Sequence, residues 1–163
     1  MNAPSLTSSH FDIHGLAQAI ALCKSSDALT CQFSPPHWEI LGSLMQPFTL
    51  SSGQVLIEQK SHDRTLYFVE SGNLSVHYQD EKERVRMALV GAGTVVGEGS
   101  FFSHQPRAAS VSAAAICKLW SLTPIRFSEL ANRHTTVALE LTLALGSVMS
   151  RRLSLRARRI AVT

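Results

Sequence analysis

Residues 91–110 read GAGTVVGEGSFFSHQPRAAS and form the most informative stretch of this 163-residue chain. The pattern indicates a strand that ends in glycine, then a carboxylate, a short helical turn, and an arginine followed by small residues. Gly97 and Gly99 permit close backbone approach and unusual dihedral angles, as in loops that surround a phosphate. Arg107 can donate charge-assisted hydrogen bonds to a phosphate, whereas an ionised Glu98 only accepts and so suits a sugar hydroxyl.

Short apolar runs separated by Gly, Ser, Asp or Asn surround this stretch and indicate β-strands. They cover residues 54–57, 66–69, 74–78, 84–90, 108–113 and 116–122. Residues 70–73 are predicted to form a tight hairpin, and residues 79–83 the polar tip of a second hairpin. The centre of the chain therefore predicts a small antiparallel barrel or roll.

Apolar residues at helical spacing predict helices on both sides of this roll. The first covers residues 11–29; the second begins at Ser34, placed to cap it, has proline in its first turn, and is stopped by Pro47. After Pro124, helices are predicted over residues 127–133 and about 136–159.

The long last helix is apolar on more than one face in its first half. One stripe consists of Leu141, Leu145, Val148 and Met149, while Leu139, Leu143 and Leu153 point elsewhere. Such a helix needs two neighbours. One is the roll, and the other is a bound ligand or the same helix of a second subunit, which predicts a dimer.

The composition, with 45% hydrophobic and 17% charged residues, fits one compact domain and excludes a disordered chain. The formal net charge is +3, but the positive charge is concentrated in a last stretch without acidic residues, which holds Arg151, Arg152, Arg156, Arg158 and Arg159. A basic stretch of this kind either binds phosphates or acidic lipids or stays in solvent. We predict that these arginines stay in solvent.

Three cysteines without a C-x-x-C pair indicate neither a disulfide framework nor a zinc site, and favour a reducing cytoplasm. Residues 1–10 lack a signal-peptide pattern, and no apolar run is long enough to span a membrane. The seven histidines are scattered without a ligand pattern, so we expect no metal site. No nucleophile lies in a base-and-orienter pattern, so we expect no catalytic residues.

An isolated glutamate and arginine would most often only pair with each other, but the whole stretch resembles a known motif. It is similar to the phosphate-binding cassette of the cyclic nucleotide-binding domain, as in protein kinase A regulatory subunits and the catabolite activator family. Glu98 and Arg107 are nine residues apart, as in the eukaryotic kinase version. Further matches are GQVL at residues 53–56, LYFVESG at residues 66–72, and Gly93. The resemblance covers roughly residues 33–159.

This resemblance implies an α+β fold: an antiparallel, jelly-roll-like β-roll flanked by N-terminal helices and a long C-terminal helix. Residues 1–32 would then be a tail and helix, residues 33–159 the nucleotide-binding domain with its lid helix, and residues 160–163 a tail. Glu98 would accept from the ribose 2′-hydroxyl, and Arg107 would bind the equatorial phosphate oxygens. The remaining implied ligand-binding residues are Gly97, Gly99, Ser100, Ala108 and Ala109.

Several positions bear on specificity or depart from the family pattern. Ala108 stands where cGMP-selective members carry Thr or Ser, which favours cAMP. Gly99-Ser100 replaces a larger apolar residue and an alanine, and Ser61-His62 replaces a Gly-acidic turn, which we expect to change a loop and little else. The last helix is about one turn longer than usual, so Arg152 and Arg156 are the candidate contacts to the base.

We therefore expect a non-enzymatic cyclic nucleotide sensor in the cytoplasm, with cAMP or else cGMP as ligand and no further cofactor. Movement of its C-terminal helix would be relayed to an effector protein, and the same helix would form a homodimer. The chain ends without a helix-turn-helix domain, so we expect no specific DNA binding. Since its apolar runs are too short to span a membrane, we also expect no membrane insertion. The alternatives are a degenerate roll that assembles proteins without nucleotide, which Glu98 and Arg107 argue against, and a cupin-type metalloenzyme.

Overall fold

The computed structural model describes residues 11–161, in which two helices precede an eight-stranded roll, one lies within it and two follow. The helices are α1 Ile13–Leu22, α2 Pro35–Leu44, α3 Glu98–Ser103, α4 Pro124–Arg133 and α5 Thr135–Ala161. The strands are β1 Gln46–Leu50, β2 Val55–Ile57, β3 Leu66–Ser71, β4 Leu74–Gln79, β5 Val85–Val90, β6 Val95–Val96, β7 Ser110–Ala113 and β8 Cys117–Leu122.

The strands form two antiparallel four-stranded sheets, ordered β1-β8-β3-β6 and β2-β7-β4-β5. Apolar side chains between the sheets form one buried cluster, which includes Val69, Leu74 and Leu119. A second and larger cluster lies between the first sheet and the helices, and includes Phe68 and Leu141. The predicted α+β fold, a β-roll with flanking helices, is confirmed.

The turn at residues 70–73 connects the two sheets and does not form the predicted hairpin. Its two flanking strands lie in different sheets, since β3 pairs with β6 and β8 whereas β4 pairs with β5 and β7, so the predicted hairpin is wrong. Gly72 has a φ of +87°, and a Cβ there would clash with the carbonyl oxygen of Ile116. The predicted hairpin between β4 and β5 is confirmed, with Asp80 accepting a side-chain hydrogen bond from Arg84.

The two N-terminal helices are shorter than predicted. α1 ends at Leu22, because Cys23 is extended, and α2 ends before Pro47. Pro47 lies instead inside β1, an edge strand, where a missing N–H is tolerated. Ser34 is the N-cap of α2 by position, but its side chain makes no capping hydrogen bond.

α5 confirms the predicted two-faced character of the last helix. Leu141, Leu145 and Val148 are fully buried, whereas Leu139, Leu143 and Leu153 are between 58% and 66% exposed. α5 continues to Ala161, so residues 160 and 161 are helical and not a tail. The predicted tail residues 1–10 and 162–163 lie outside the described residues. No helix within residues 11–161 combines the length and apolar character needed to cross a membrane.

Candidate functional site

The predicted cassette lies between β6 and β7. It begins at Gly97, where the backbone takes a conformation that favours glycine. Gly97 has a φ of +89° and precedes α3. A Cβ at this position would come within 2.6 Å of Arg107 Nη1 and 2.7 Å of the Thr65 carbonyl oxygen. Gly99, by contrast, lies inside α3 with open space around its Cβ position, so the fold itself does not require glycine there.

Arg107 is the most deeply buried charged residue of the described chain, with 3% of its surface exposed. Its Nη1 donates to the Gly97 carbonyl oxygen at 2.9 Å, and its Nη2 donates to Asp63 Oδ2 at 2.6 Å and to the Thr65 carbonyl oxygen at 2.7 Å. Its Nε is buried and has no hydrogen-bond partner among the described residues. A buried donor left in this way is costly, so the arrangement favours an acceptor that the described residues do not supply.

Asp63 was not identified from the sequence, although it is the only carboxylate of the described residues that pairs with Arg107. It also accepts from the Thr65 hydroxyl at 2.8 Å. Burial on its own would raise the pKa of Asp63, but hydrogen bonds from Arg107 and Thr65 outweigh it and hold the pKa below its ordinary value. Asp63 therefore stays ionised and stabilises the buried guanidinium.

The loop between β2 and β3 also holds the main chain of Arg107. The Lys60 N–H donates to the Arg107 carbonyl oxygen, and the Arg107 N–H donates to the Ser61 carbonyl oxygen, both at 2.8 Å. Both bonds use main-chain atoms, which other residues at positions 60 and 61 would also supply, so the expectation that Ser61-His62 changes a loop and little else stays a prediction. This loop fixes the backbone and, through Asp63, the side chain of Arg107.

Glu98 is paired with Arg152 of α5. Arg152 Nη1 donates to Glu98 Oε1 at 2.5 Å, while its Nε and Nη2 donate to Asp27 Oδ2 at 3.0 and 2.9 Å. Burial would lower the pKa of Arg152, but the two carboxylates raise it above its ordinary value. The guanidinium thus joins three separate parts of the fold: the start of α3, the loop between α1 and α2, and α5. Asp27 was not identified from the sequence.

The neighbouring Arg151 strengthens the same attachment of α5. It donates to the carbonyl oxygens of Ser26 at 3.0 Å and Ala28 at 2.6 Å. Arg151 and Arg152 were predicted to be solvated, and that prediction is wrong, because both side chains attach α5 to the rest of the fold. Arg156 is exposed one turn further along α5. The structure does not describe the side chains of residues 158 and 159.

The remaining predicted ligand-binding residues lie on the same segment. Ser100 is buried in α3, and Ala108 and Ala109 follow Arg107 on the way to β7. The structure therefore brings together all the predicted cassette residues, together with Arg152. Among residues 11–161, no group of three or more His, Cys, Asp or Glu side chains lies close enough to hold a metal ion.

Comparisons with known proteins agree with this geometry. A family model described as "Cyclic nucleotide-binding domain" matches residues 47–134. The cAMP-dependent protein kinase type II regulatory subunit of Drosophila melanogaster is 36% identical over 62 residues, which are 38% of this chain and 16% of that protein. The cAMP-dependent protein kinase regulatory subunit of Yarrowia lipolytica is 33% identical over 86 residues, which are 53% of this chain and 22% of that protein.

A solved structure shows the same fold over nearly the whole chain. It is described as a cyclic nucleotide-binding domain from Methylobacillus flagellatus and matches with a TM-score of 0.80 at 21% identity, covering 91% of this chain and 82% of that one. The curated relatives are much longer, and the matched stretch spans 16% to 22% of their length. What is shared with them is therefore one domain.

Proposed function

The chain belongs to the cyclic nucleotide-binding domain family, and from this premise we propose that residues 97–109 bind a cyclic nucleotide, with cAMP preferred over cGMP. The domain is related to the regulatory subunits of cAMP-dependent protein kinase. We propose that it works as a sensor module without a cofactor or catalytic activity of its own, in the cytoplasm, without membrane insertion or specific DNA binding.

The unpartnered Nε of Arg107 carries this proposal. The guanidinium is almost fully buried, its two Nη atoms are already hydrogen-bonded, and its one carboxylate partner, Asp63, has a side chain that is 51% exposed. A singly charged cyclic phosphate supplies both a second negative charge and the acceptor that Nε lacks. The geometry therefore favours a small anion with a phosphate oxygen next to Arg107.

The rest of the segment fits the sugar and the phosphate. Glu98 Oε1 is bonded to Arg152, and Oε2 receives no hydrogen bond from the described residues, which leaves an acceptor for a ribose 2′-hydroxyl. By family resemblance, the phosphate contacts come from Arg107 and from backbone N–H groups, and the full set of proposed ligand-binding residues is Gly97, Glu98, Gly99, Ser100, Arg107, Ala108 and Ala109.

The preference for cAMP rests on Ala108. Its exposed methyl group offers no hydroxyl to hydrogen-bond a guanine. The names of both curated relatives specify cAMP. We therefore expect isothermal titration to give a lower Kd for cAMP than for cGMP, and Ala108→Thr to narrow the difference. An equal or tighter Kd for cGMP in the unaltered protein contradicts the preference.

The salt bridges of Arg152 supply a route by which binding can reach α5. A nucleotide that hydrogen-bonds to Glu98 changes the environment of the same carboxylate that holds Arg152, and Arg152 also holds Asp27. A ligand shifts the position of α5 only as far as it binds one arrangement more tightly than another. We propose that this coupling is relayed to an effector protein, and that Arg152, with Arg156, forms the lid side of the site.

A row of exposed leucines on α5 supports a homodimer. Leu139 and Leu143 lie one turn apart and are 58% and 66% exposed, and Leu153 continues the row. We propose that a second copy of α5 covers them. Sedimentation is expected to show a dimer that Leu143→Glu dissociates and that Ile125→Glu, at an even more exposed position on α4, leaves intact. A monomeric unaltered protein contradicts this.

An alternative function is nucleotide-independent assembly of proteins on the same roll. It is favoured only if the exposed leucines of α5 bind a partner while the Arg107 segment binds no nucleotide. Equal partner binding with and without cAMP, by a protein that shows no heat of nucleotide binding, would establish it.

A further inference from the structure

Arg64 makes three contacts with the far end of the cassette helix. Its Nε donates to the Ser100 carbonyl oxygen at 3.3 Å, and its Nη2 donates to the Phe101 carbonyl oxygen at 3.0 Å. The same Nη2 lies 3.0 Å from His104 Nε2, which accepts the bond when the ring proton is on Nδ1. Of the three partners, only Ser100 is a predicted site residue, and Arg64 itself was not identified from the sequence.

The contacts fall where α3 is weakest. The last carbonyl groups of a helix lack partners within the helix, and α3 has only six residues. The helix ends at Ser103 and is followed by the C-cap His104, which has a φ of +59°, a left-handed conformation usually taken by glycine. The Ser100 carbonyl oxygen also accepts from the His104 N–H at 3.1 Å, so Arg64 joins an existing end-of-helix hydrogen bond. Arg64 thus supports the last turn of α3 from outside.

Arg64 follows Asp63 directly, and the two side chains contact two different parts of the cassette. Asp63 binds the Arg107 guanidinium, and Arg64 binds the end of the helix that begins at Glu98. Because Asp63 and Arg64 are neighbours in the chain, this one loop connects Arg107 to the end of α3. The separation of Glu98 from Arg107 decides whether one ligand can reach both groups.

We infer that Arg64 is a positioning residue for the cyclic nucleotide site: it holds α3 in the place from which Glu98 and the neighbouring backbone can act together with Arg107. The inference rests on the proposed function of that segment. This positioning role differs from simple attraction of the anionic ligand by the charge of Arg64. The two can be separated with lysine, which keeps the positive charge but not the several donors that arginine holds in one plane.

The experiment compares Arg64→Ala, Arg64→Lys and a control, Arg133→Ala, which removes an exposed arginine paired with Glu129 on α4. Amide hydrogen exchange of the unliganded proteins is measured over residues 101–105, and Kd for cAMP is measured by titration. We expect faster exchange over these residues in both Arg64 variants and unchanged exchange in the control. We also expect Kd to rise about tenfold in both Arg64 variants.

Each other result is decisive. Unchanged exchange in Arg64→Ala overturns the inference whatever the nucleotide affinity. An Arg64→Lys variant that binds cAMP as tightly as the unaltered protein shows that charge alone acts, and this also overturns it. If the unaltered protein binds no cyclic nucleotide, the proposed function fails, and the exchange data still show separately whether Arg64 holds the end of α3.

Discussion

Replacing Arg107 with lysine is expected to raise the Kd for cAMP by about a hundredfold or more while the protein remains folded. The arginine uses Nη1 and Nη2 to bind the Gly97 and Thr65 carbonyl oxygens and Asp63, and its Nε remains for the ligand. A lysine ammonium cannot keep these bonds and also reach a phosphate in the same plane. Hydrogen bonds to charged groups contribute about 1.5–3 kcal/mol each, and a hundredfold change corresponds to about 2.7 kcal/mol.

Competition with a fluorescent cAMP analogue measures this effect. Arg84→Lys is the matched control, because Arg84 is an exposed arginine paired with one aspartate, Asp80, at the tip of the β4–β5 hairpin. It is expected to bind cAMP like the unaltered protein. A Kd for Arg107→Lys within about threefold of the unaltered value would show that the guanidinium does not bind the phosphate.

Gly97→Ala is expected to lower the free energy of unfolding by about 2 kcal/mol and to weaken nucleotide binding together with it. The left-handed conformation of Gly97 costs a residue with a side chain about 1–2 kcal/mol. The added Cβ would also stand 2.7 Å from the Thr65 carbonyl oxygen, which is part of the backbone of the roll, and 2.6 Å from Arg107 Nη1. Moving the Arg107 side chain disturbs the roll less than moving a backbone carbonyl, so we expect the clash to be relieved by displacement of Arg107, at the expense of the site.

Gly99→Ala is the matched control two residues away. Apart from its own stretch of helix, no atom of the described residues lies within 4 Å of its Cβ position. Inside a helix, alanine is preferred over glycine by up to about 1 kcal/mol. Urea denaturation is therefore expected to show a stability equal to or above that of the unaltered protein for Gly99→Ala, and a loss only for Gly97→Ala. Equal losses in the two variants would contradict the special role of Gly97.

The elements that sequence patterns predicted well are those with local signals. The core-facing stripe of α5 follows from its helical spacing, and the β4–β5 hairpin follows from strands that flank a polar tip. β1 was not predicted, because it contains Pro47, whereas β6 is the predicted strand before the glycine and carboxylate of the cassette and has only two residues. The partner of β3 could not be predicted either, because a turn of this length fits a hairpin as well as a crossing between sheets.

The site was predicted in its local part and missed where distant segments meet. Glu98 and Arg107 belong to one continuous motif, so the sequence alone was enough to propose them as candidates. Asp63 lies 44 positions from Arg107 along the chain, and Asp27 lies 125 positions from Arg152. Only the packing of the β2–β3 loop against the cassette, and of α5 against the α1–α2 loop, brings these pairs together. A lone aspartate in a loop gives no periodic signal of such a contact.

Thermal unfolding of the purified protein, freed of bound nucleotide, with and without cAMP tests the central claim most directly, with 5′-AMP as a control that has the same base and sugar but no cyclic phosphate. At a cAMP concentration about 1,000 times the Kd, binding to the folded state adds about 4 kcal/mol. For a domain of this size, this corresponds to a rise in Tm of about 8–16 °C. The account predicts this rise with cAMP and none with 5′-AMP. An unchanged Tm with cAMP, in a protein that is folded at the start, would contradict it.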